Sequence, residues 1–108
     1  MISVTHFQAH DGTFAERAGA ALAALAQRPG YLRGSLARNT DDPDAWVLVT
    51  EWENVGSYRR ALGGFEVKMV ATPLLAEALD VPSSFESLVE AAPGGVLEER
   101  ASDREPNA

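Results

Sequence analysis

One apolar stretch in the middle of the chain constrains the fold most, because it alternates with the period of a β-strand. Residues 45–53 read Ala-Trp-Val-Leu-Val-Thr-Glu-Trp-Glu, and both tryptophans of the chain, Trp46 and Trp52, fall at even positions. Successive side chains of a strand point to opposite faces, so the two indoles share one face. The valines between them occupy the other face. The segment therefore predicts a strand that is apolar on both sides.

The flanking segments carry helix and strand signals in alternation. Thr13 followed by Glu16 predicts a capping box, and Pro29-Gly30 predicts the end of the same helix. Asn54 is a suitable N-cap for the helix that follows the tryptophan strand. The predicted elements are strands at 2–9, 31–38, 45–53 and 84–91, a helix at 13–27, and a helical block at 54–79 that breaks at Gly63-Gly64 and Pro73.

This β-α-β-β-α-β order predicts an α+β fold with a ferredoxin-like, four-stranded antiparallel sheet. Right-handed connections place both helical blocks on one face of that sheet. The other face should then be polar, but the valines of residues 45–53 make it apolar. A second copy of the chain is the simplest cover for such a face, so the pattern predicts a homodimer.

Composition excludes several classes of function. The 108 residues suit one domain, and the formal net charge of −7 gives no basic footprint for nucleic acid or for an anionic membrane. The absence of cysteine excludes disulfides and thiolate chemistry, and no signal peptide is visible, so we expect a cytoplasmic protein. We expect the domain to span residues 1–92 and residues 93–108 to form a disordered acidic tail.

Several landmarks together resemble the antibiotic biosynthesis monooxygenase family of dimeric α/β-barrel proteins. They are Pro29-Gly30-Tyr31-Leu32, the run Trp46-Val47-Leu48-Val49-Thr50-Glu51-Trp52-Glu53, Tyr58 and Phe85-Glu86. The likeness covers roughly residues 2–90. The family includes cofactor-free oxygenases that turn polycyclic phenols into quinones, and it also includes haem-degrading enzymes.

The resemblance separates these two activities. Haem-degrading members use an asparagine, a tryptophan and an iron-binding histidine, and the corresponding positions here hold Thr5, Ala61 and Val70. Quinone-forming members are similar to this chain at Trp52 and Tyr58. Their asparagine, four residues before the tryptophan, is replaced here by Leu48.

An aromatic slot under the helices is the predicted ligand site. By strand parity Trp46 and Trp52 line it, and Phe7, Tyr31 and Phe85 are expected to join them. Such a slot suits a flat polycyclic ligand. The competing interpretation is that these rings only fill the core between the sheet and the helices.

Polar candidates around this slot are few. Tyr58 is expected to orient a substrate oxygen, and Thr5 and Arg33 to add polar contacts, with Leu48 lining the wall. Arg33 falls on the Tyr31 side of its strand by parity, although such an arginine more often pairs with a neighbouring carboxylate at the sheet edge.

The two histidines, His6 and His10, are the only side chains that ordinarily titrate near neutral pH. Parity directs His6 away from the slot, and His10 falls at a turn. We therefore expect no histidine base, and we expect no metal or cofactor site.

The sequence predicts a cofactor-independent monooxygenase of an aromatic, polyketide-like phenol or quinol, with Trp52 and Tyr58 as its catalytic pair. A non-catalytic small-molecule-binding or accessory dimer on the same fold is the alternative, favoured by Leu48.

Overall fold

The computed structural model describes residues 1–102, and they form the predicted ferredoxin-like α+β fold. A four-stranded antiparallel sheet has the order β2-β3-β1-β4 and consists of β1 (Ile2–Gln8), β2 (Tyr31–Arg38), β3 (Ala45–Trp52) and β4 (Ser84–Phe85). The helices are α1 (Phe14–Ala26), α2 (Val55–Ala61), a π-helical segment (Val67–Ala71) and α3 (Thr72–Leu75). No helix within residues 1–102 is long and apolar enough to cross a membrane.

The register of β1 on β3 defines two faces of the sheet. Pairs such as Ser3 with Thr50 and Thr5 with Leu48 are buried beneath the helices, on what we call the inner face. The alternate pairs, such as Val4 with Val49, lie on the outer face and remain half-buried. The strand parity predicted from the sequence is therefore confirmed for β1 and β3.

The core lies between the inner face and α1. Buried residues recur along α1 at helical spacing, and they are Phe14, Ala18, Ala21, Ala24 and Leu25. They pack against Phe7, Leu48 and Trp52 of the sheet and Val67 of the π-helical segment. Burying a large apolar side chain contributes about 1.5–3 kcal/mol each, so this layer supplies most of the hydrophobic stabilisation.

One predicted helix cap is confirmed and one is wrong. The Asn54 side chain accepts a hydrogen bond from the Ser57 backbone N–H at 2.8 Å, which starts α2 as expected. Thr13 makes no side-chain cap, because its hydroxyl donates instead to the Asp11 carboxylate at 2.6 Å. The same carboxylate accepts the Thr13 backbone N–H at 3.0 Å, so an Asx turn replaces the capping box.

The last predicted strand is mostly wrong. Only Ser84–Phe85 join the sheet, where they pair with Ile2 and Ser3. Val89–Ala91 (β5) turns away and pairs with Leu97–Glu99 (β6) in a separate two-stranded sheet. We call residues 88–100 the C-terminal hairpin.

Turn chemistry accounts for this hairpin in a region that we expected to be disordered. Gly94 and Gly95 adopt φ values of +106° and +85°, which favour glycine, and the Gly95 N–H donates to the Ala92 carbonyl. The Pro-Gly-Gly run therefore closes a turn rather than ending the structure. Residues 103–108 of the predicted tail lie outside the described residues, and the boundary at residue 92 stays a prediction.

A β-bulge at the start of β2 changes which face its residues occupy. Tyr31 pairs with Trp52, whereas Arg33 pairs with Glu51, so Leu32 is the extra residue. Because two residues oppose one step of β3, Tyr31 faces inward and Arg33 faces outward. Simple alternation had placed both on one face.

Candidate functional site

Trp52 lies on the inner face at the end of β3 and is completely packed. Its side chain is 1% exposed. The ring centroid is 5.4 Å from that of Tyr31 in an edge-on arrangement and 5.5 Å from that of Tyr58. These three rings enclose one aromatic site, which we call the Trp52 cluster. The aromatic side chains that were predicted to line a slot therefore fill this space themselves.

A row of hydroxyl groups borders the Trp52 cluster. The Trp52 indole N–H donates to the Thr50 hydroxyl at 2.8 Å, and the Ser3 hydroxyl donates to the Tyr58 oxygen at 3.4 Å. Ser3 and Thr50 are opposite each other in the β1–β3 register, at 3% and 2% exposure. The cluster therefore combines three aromatic walls with polar atoms that can bind a ligand oxygen.

Local chain geometry brings Tyr31 and Tyr58 together. Gly30 has a φ of +87°, and a Cβ atom there would lie 2.4 Å from the Ser57 Cβ atom. Only glycine permits this close approach, which places Tyr31 beside the first turn of α2. The Asn54 cap fixes the same turn, and Tyr58 follows one residue after Ser57. The Pro29-Gly30-Tyr31 landmark therefore has a structural reason.

Trp46 belongs to a different aromatic group, although it shares the inner face with Trp52. The Phe14 ring lies 5.2 Å from Phe7 and 5.3 Å from Trp46, and the Arg38 guanidinium lies 5.4 Å from the Trp46 ring. The Trp46 indole nitrogen is buried and has no hydrogen-bond partner within residues 1–102. The predicted common slot is therefore divided between two ends of the sheet.

Thr5 and Leu48 occupy the middle of the inner face, opposite each other, at 6% and 2% exposure. Leu48 belongs to the hydrophobic core. It supplies no polar atom at the position where the resemblance implies an asparagine. Of the two predicted polar residues on the strands, Thr5 faces inward and Arg33 does not.

Two predicted site residues lie outside the slot. The bulge turns Arg33 to the outer face, where its guanidinium makes a two-point ion pair with the Glu51 carboxylate. Hydrogen bonding to Glu51 raises the pKa of Arg33 above its ordinary value. Phe85 pairs with Ile2, faces the outer side and is 47% exposed. Both placements differ from the prediction, because the bulge changes the parity of β2 and the register of β4 pairs Phe85 with the outward-facing Ile2.

A cavity lies on the outer side of the sheet. It has a volume of about 830 Å³ and lies between outer-face residues, among them Arg33 and Glu51, and the C-terminal hairpin with Glu90 and Arg100. A hydrogen bond from Ser87 is the main cause that lowers the pKa of Glu90, and Arg100 and Arg33 also contribute. This cavity is charged, unlike the aromatic site predicted from the sequence.

The histidines lie away from the Trp52 cluster. His6 pairs with Val47 on the outer face, and His10 makes a 2.8 Å contact with the Asp44 carboxylate in a loop. Within residues 1–102 no group of three or more histidine, aspartate and glutamate side chains could hold a metal ion.

Ser3 and Thr50 are the site residues that the sequence predictions missed. Both were visible by parity, because Ser3 shares a face with Thr5, and Thr50 lies two residues before Trp52. Neither residue titrates or matches a motif, so only the pairing of β1 with β3 marks them as a polar unit.

Comparisons with known proteins connect the fold to a function. A family model described as antibiotic biosynthesis monooxygenase matches residues 1–69. SnoaB, a cofactor-independent oxygenase from Streptomyces nogalater, is similar at a TM-score of 0.69 and 26% identity, over 85% of this chain and 95% of that chain.

Other solved structures share the fold at lower identity. A protein from Mycobacterium tuberculosis has a TM-score of 0.67 and 14% identity, over 84% of this chain and 97% of that chain. A conserved protein from Methanosarcina mazei has a TM-score of 0.62 and 19% identity, over 77% of this chain and 84% of that chain. No curated protein matches the sequence.

Proposed function

The chain belongs to the antibiotic biosynthesis monooxygenase family, and on that premise we propose that it is a cofactor-independent oxygenase of a polycyclic aromatic phenol or quinol. Family membership supports a monooxygenase-like function. The similarity to SnoaB supports oxygenation without a cofactor. That the substrate is aromatic is a further proposal, and the Trp52 cluster supports it.

The observation behind this step is the combination of rings and hydroxyl groups around Trp52. Tyr31 and Tyr58 lie 5.4 and 5.5 Å from Trp52, ring centroid to ring centroid, so the three rings contact one another. A flat ligand that stacks on Trp52 would take the place of one of the tyrosine rings. The hydroxyl of Tyr58 lies at the edge of this aromatic group and can donate to a phenolate or carbonyl oxygen. Trp52, Thr50 and Ser3 are shielded from bulk water at no more than 3% exposure, whereas Tyr31 and Tyr58 are half-buried.

The proposed reaction takes its electrons from the substrate. The substrate loses one proton to solvent and binds as the anion, which transfers one electron to O2. The two radicals recombine at a ring carbon that still bears a hydrogen, and the resulting peroxide anion takes up one proton to become a hydroperoxide. Loss of water from that hydroperoxide leaves a quinone carbonyl, so one oxygen atom enters the product and the other becomes water. The protein binds the flat anion, orients its oxygen at Tyr58 and keeps bulk water away.

Oxygen uptake with a reduced anthrone tests this function. Purified protein is incubated with dithranol, without flavin or added metal, and the rate is followed with an oxygen electrode. We expect protein-dependent uptake that falls about tenfold in Tyr58→Phe, which loses one hydrogen-bond donor. Trp52→Phe should also lose rate, whereas Trp46→Phe, at the other aromatic group, should lose less. Uptake equal to the protein-free rate would contradict the proposal.

A second candidate is a non-catalytic binder of the same class of molecule. Leu48 supports it, because this buried leucine supplies none of the polar atoms that an asparagine would. Binding of anthraquinone by calorimetry, together with no oxygen uptake from dithranol, would favour the binder. The variant Leu48→Asn then sharpens the choice, since uptake gained by Leu48→Asn would identify this position as the cause.

The active form that we propose is a homodimer joined through the outer face. The valines of β1 and β3 on that face are only half-buried. The charges of Arg33 and Glu51 on the same face cancel in an ion pair, so this pair adds no net charge to the interface. The C-terminal hairpin also exposes apolar side chains, which are Leu88, Val89, Val96 and Leu97 at 50–79%. A two-stranded hairpin is marginally stable alone, so contact with a second copy would stabilise it.

A further inference from the structure

The two tryptophans differ in how their indole N–H groups are satisfied. The Trp46 nitrogen has no partner within residues 1–102, whereas the Trp52 nitrogen donates to Thr50 at 2.8 Å. Both Thr50 and Trp52 are at most 2% exposed. A hydrogen bond between two buried groups resists rearrangement, because breaking it would leave an unsatisfied donor in an apolar surrounding.

The Thr50 bond determines what Trp52 can offer a ligand. Thr50 lies two residues earlier on the same face of β3, so the bond holds the indole N–H along the strand. The N–H is therefore occupied, and the ring contributes its apolar surface. A polar contact with a ligand oxygen must come from another side chain of the cluster.

Ser3 provides the complementary arrangement on β1. It lies opposite Thr50, and its hydroxyl donates to the Tyr58 oxygen at 3.4 Å. When Tyr58 accepts this bond through its oxygen, its own hydroxyl hydrogen is free to be donated to a ligand. Each strand thus contributes one hydroxyl to the cluster, Thr50 in a 2.8 Å bond and Ser3 in a longer contact of 3.4 Å.

We propose that Thr50 and Ser3 are positioning residues, of which Thr50 fixes the Trp52 ring as a stacking wall and Ser3 orients the Tyr58 hydroxyl towards the ligand oxygen. The inference rests on the proposed function for its ligand class. It specifies that a bound phenol or quinone receives its hydrogen bond from Tyr58 and none from the Trp52 indole.

Nuclear magnetic resonance tests the geometry independently of activity. The protein has two indole N–H signals, and Trp46→Phe assigns them. We expect Thr50→Val, which keeps the side-chain shape and removes the hydroxyl, to shift the Trp52 signal upfield and to speed its hydrogen exchange. Thr50→Ser should retain the wild-type signal, and Thr40→Val on an exposed loop is the matched control. An unchanged Trp52 signal in Thr50→Val overturns the proposal.

Kinetics with dithranol tests the consequence. We expect Thr50→Val and Ser3→Ala each to lower kcat about tenfold, the equivalent of one buried hydrogen bond, with KM changed less. Thr50→Ser should restore the rate. A shifted indole signal with an unchanged kcat would overturn the positioning role.

A wild-type protein that takes up no oxygen from dithranol would instead contradict the proposed reaction. The positioning role is then decided by calorimetry with anthraquinone. Weaker binding in both Thr50→Val and Ser3→Ala, with binding retained in Thr50→Ser, supports it, and equal binding in all variants overturns it.

Discussion

Both faces of the four-stranded sheet carry apolar residues, but they differ in how completely a single chain covers them. On the inner face the polar groups near Trp52 are paired and the apolar groups are covered by helices. On the outer face the valines remain half-buried, and a charged cavity of about 830 Å³ separates that face from the C-terminal hairpin. The inner face is therefore covered within one chain, whereas the outer face is the one that we propose a second copy covers. Substitutions on each face test this contrast.

The largest effect is expected on the inner face. Trp52→Ala removes the largest fully buried side chain within residues 1–102, and we expect a loss of about 3–5 kcal/mol in the free energy of unfolding. Urea denaturation followed by circular dichroism measures it. Phe65→Ala, at 76% exposure, is the control and should change stability by less than about 0.5 kcal/mol. Equal decreases in the free energy of unfolding in the two variants would contradict the prediction that Trp52 contributes far more to stability than Phe65.

The next effect concerns association rather than folding. Val49→Glu places an unpaired charge at the centre of the outer face, and we expect the dimer dissociation constant to rise at least about hundredfold. Light scattering over a concentration series measures this, and circular dichroism should show the fold retained. Val70→Glu, on the helical side, should leave association unchanged. A wild-type protein that is monomeric at micromolar concentration would refute the dimer.

A smaller effect tests how the Trp52 cluster is assembled. Gly30→Ala forces a Cβ atom against Ser57 at a φ of +87°, and we expect about 2 kcal/mol of destabilisation. Gly19→Ala in α1 has no atom within 4 Å of the new Cβ and should stabilise the protein by about 1 kcal/mol. Thermal denaturation compares the pair. Similar melting temperatures would show that the close approach at Gly30 is unimportant.

The smallest effect is one of pH and lies on neither face. The hydrogen bond from the Thr13 hydroxyl is the main cause that lowers the pKa of Asp11 below its ordinary value. Because the folded pKa is depressed, the stabilisation is present above the unfolded pKa and is lost as pH falls through the folded pKa. Urea denaturation at a series of acidic pH values measures the free energy of unfolding. We expect it to fall less steeply with decreasing pH in Asp11→Asn than in the wild type, because the variant has no carboxylate at this position to protonate. An identical pH profile for both proteins would contradict this.

The sequence was sufficient for the parts of the fold that depend on periodicity. Alternation predicted the inner position of Trp46, Leu48 and Trp52, and helical spacing predicted the buried stripe of α1. Each of these signals is local, because burial on one face repeats every two or 3.6 residues. The Asn54 cap is local in the same sense and was also confirmed.

The rest depends on pairing between distant segments. No residue near Leu32 indicates a bulge in the sequence. Strand alternation alone therefore placed Tyr31 and Arg33 on the same face, although the bulge puts them on opposite faces. The Ser3–Tyr58 contact joins residues 55 positions apart, and Ser3 has no chemistry of its own to mark it. Where Phe85 would lie depended on how soon the last strand leaves the sheet. These are register questions, which a single sequence does not answer.

The bulge at Leu32 has a consequence for how this protein can diverge. Leu32 is 60% exposed, and the residues on either side of it already face opposite sides of the sheet. Deleting its codon would leave Tyr31 opposite Trp52 and Arg33 opposite Glu51 in an uninterrupted ladder. Chain length can therefore vary at this point over evolutionary time without exchanging the two surfaces. Sequence alignments that place the gap elsewhere would assign residues of β2 to the wrong side.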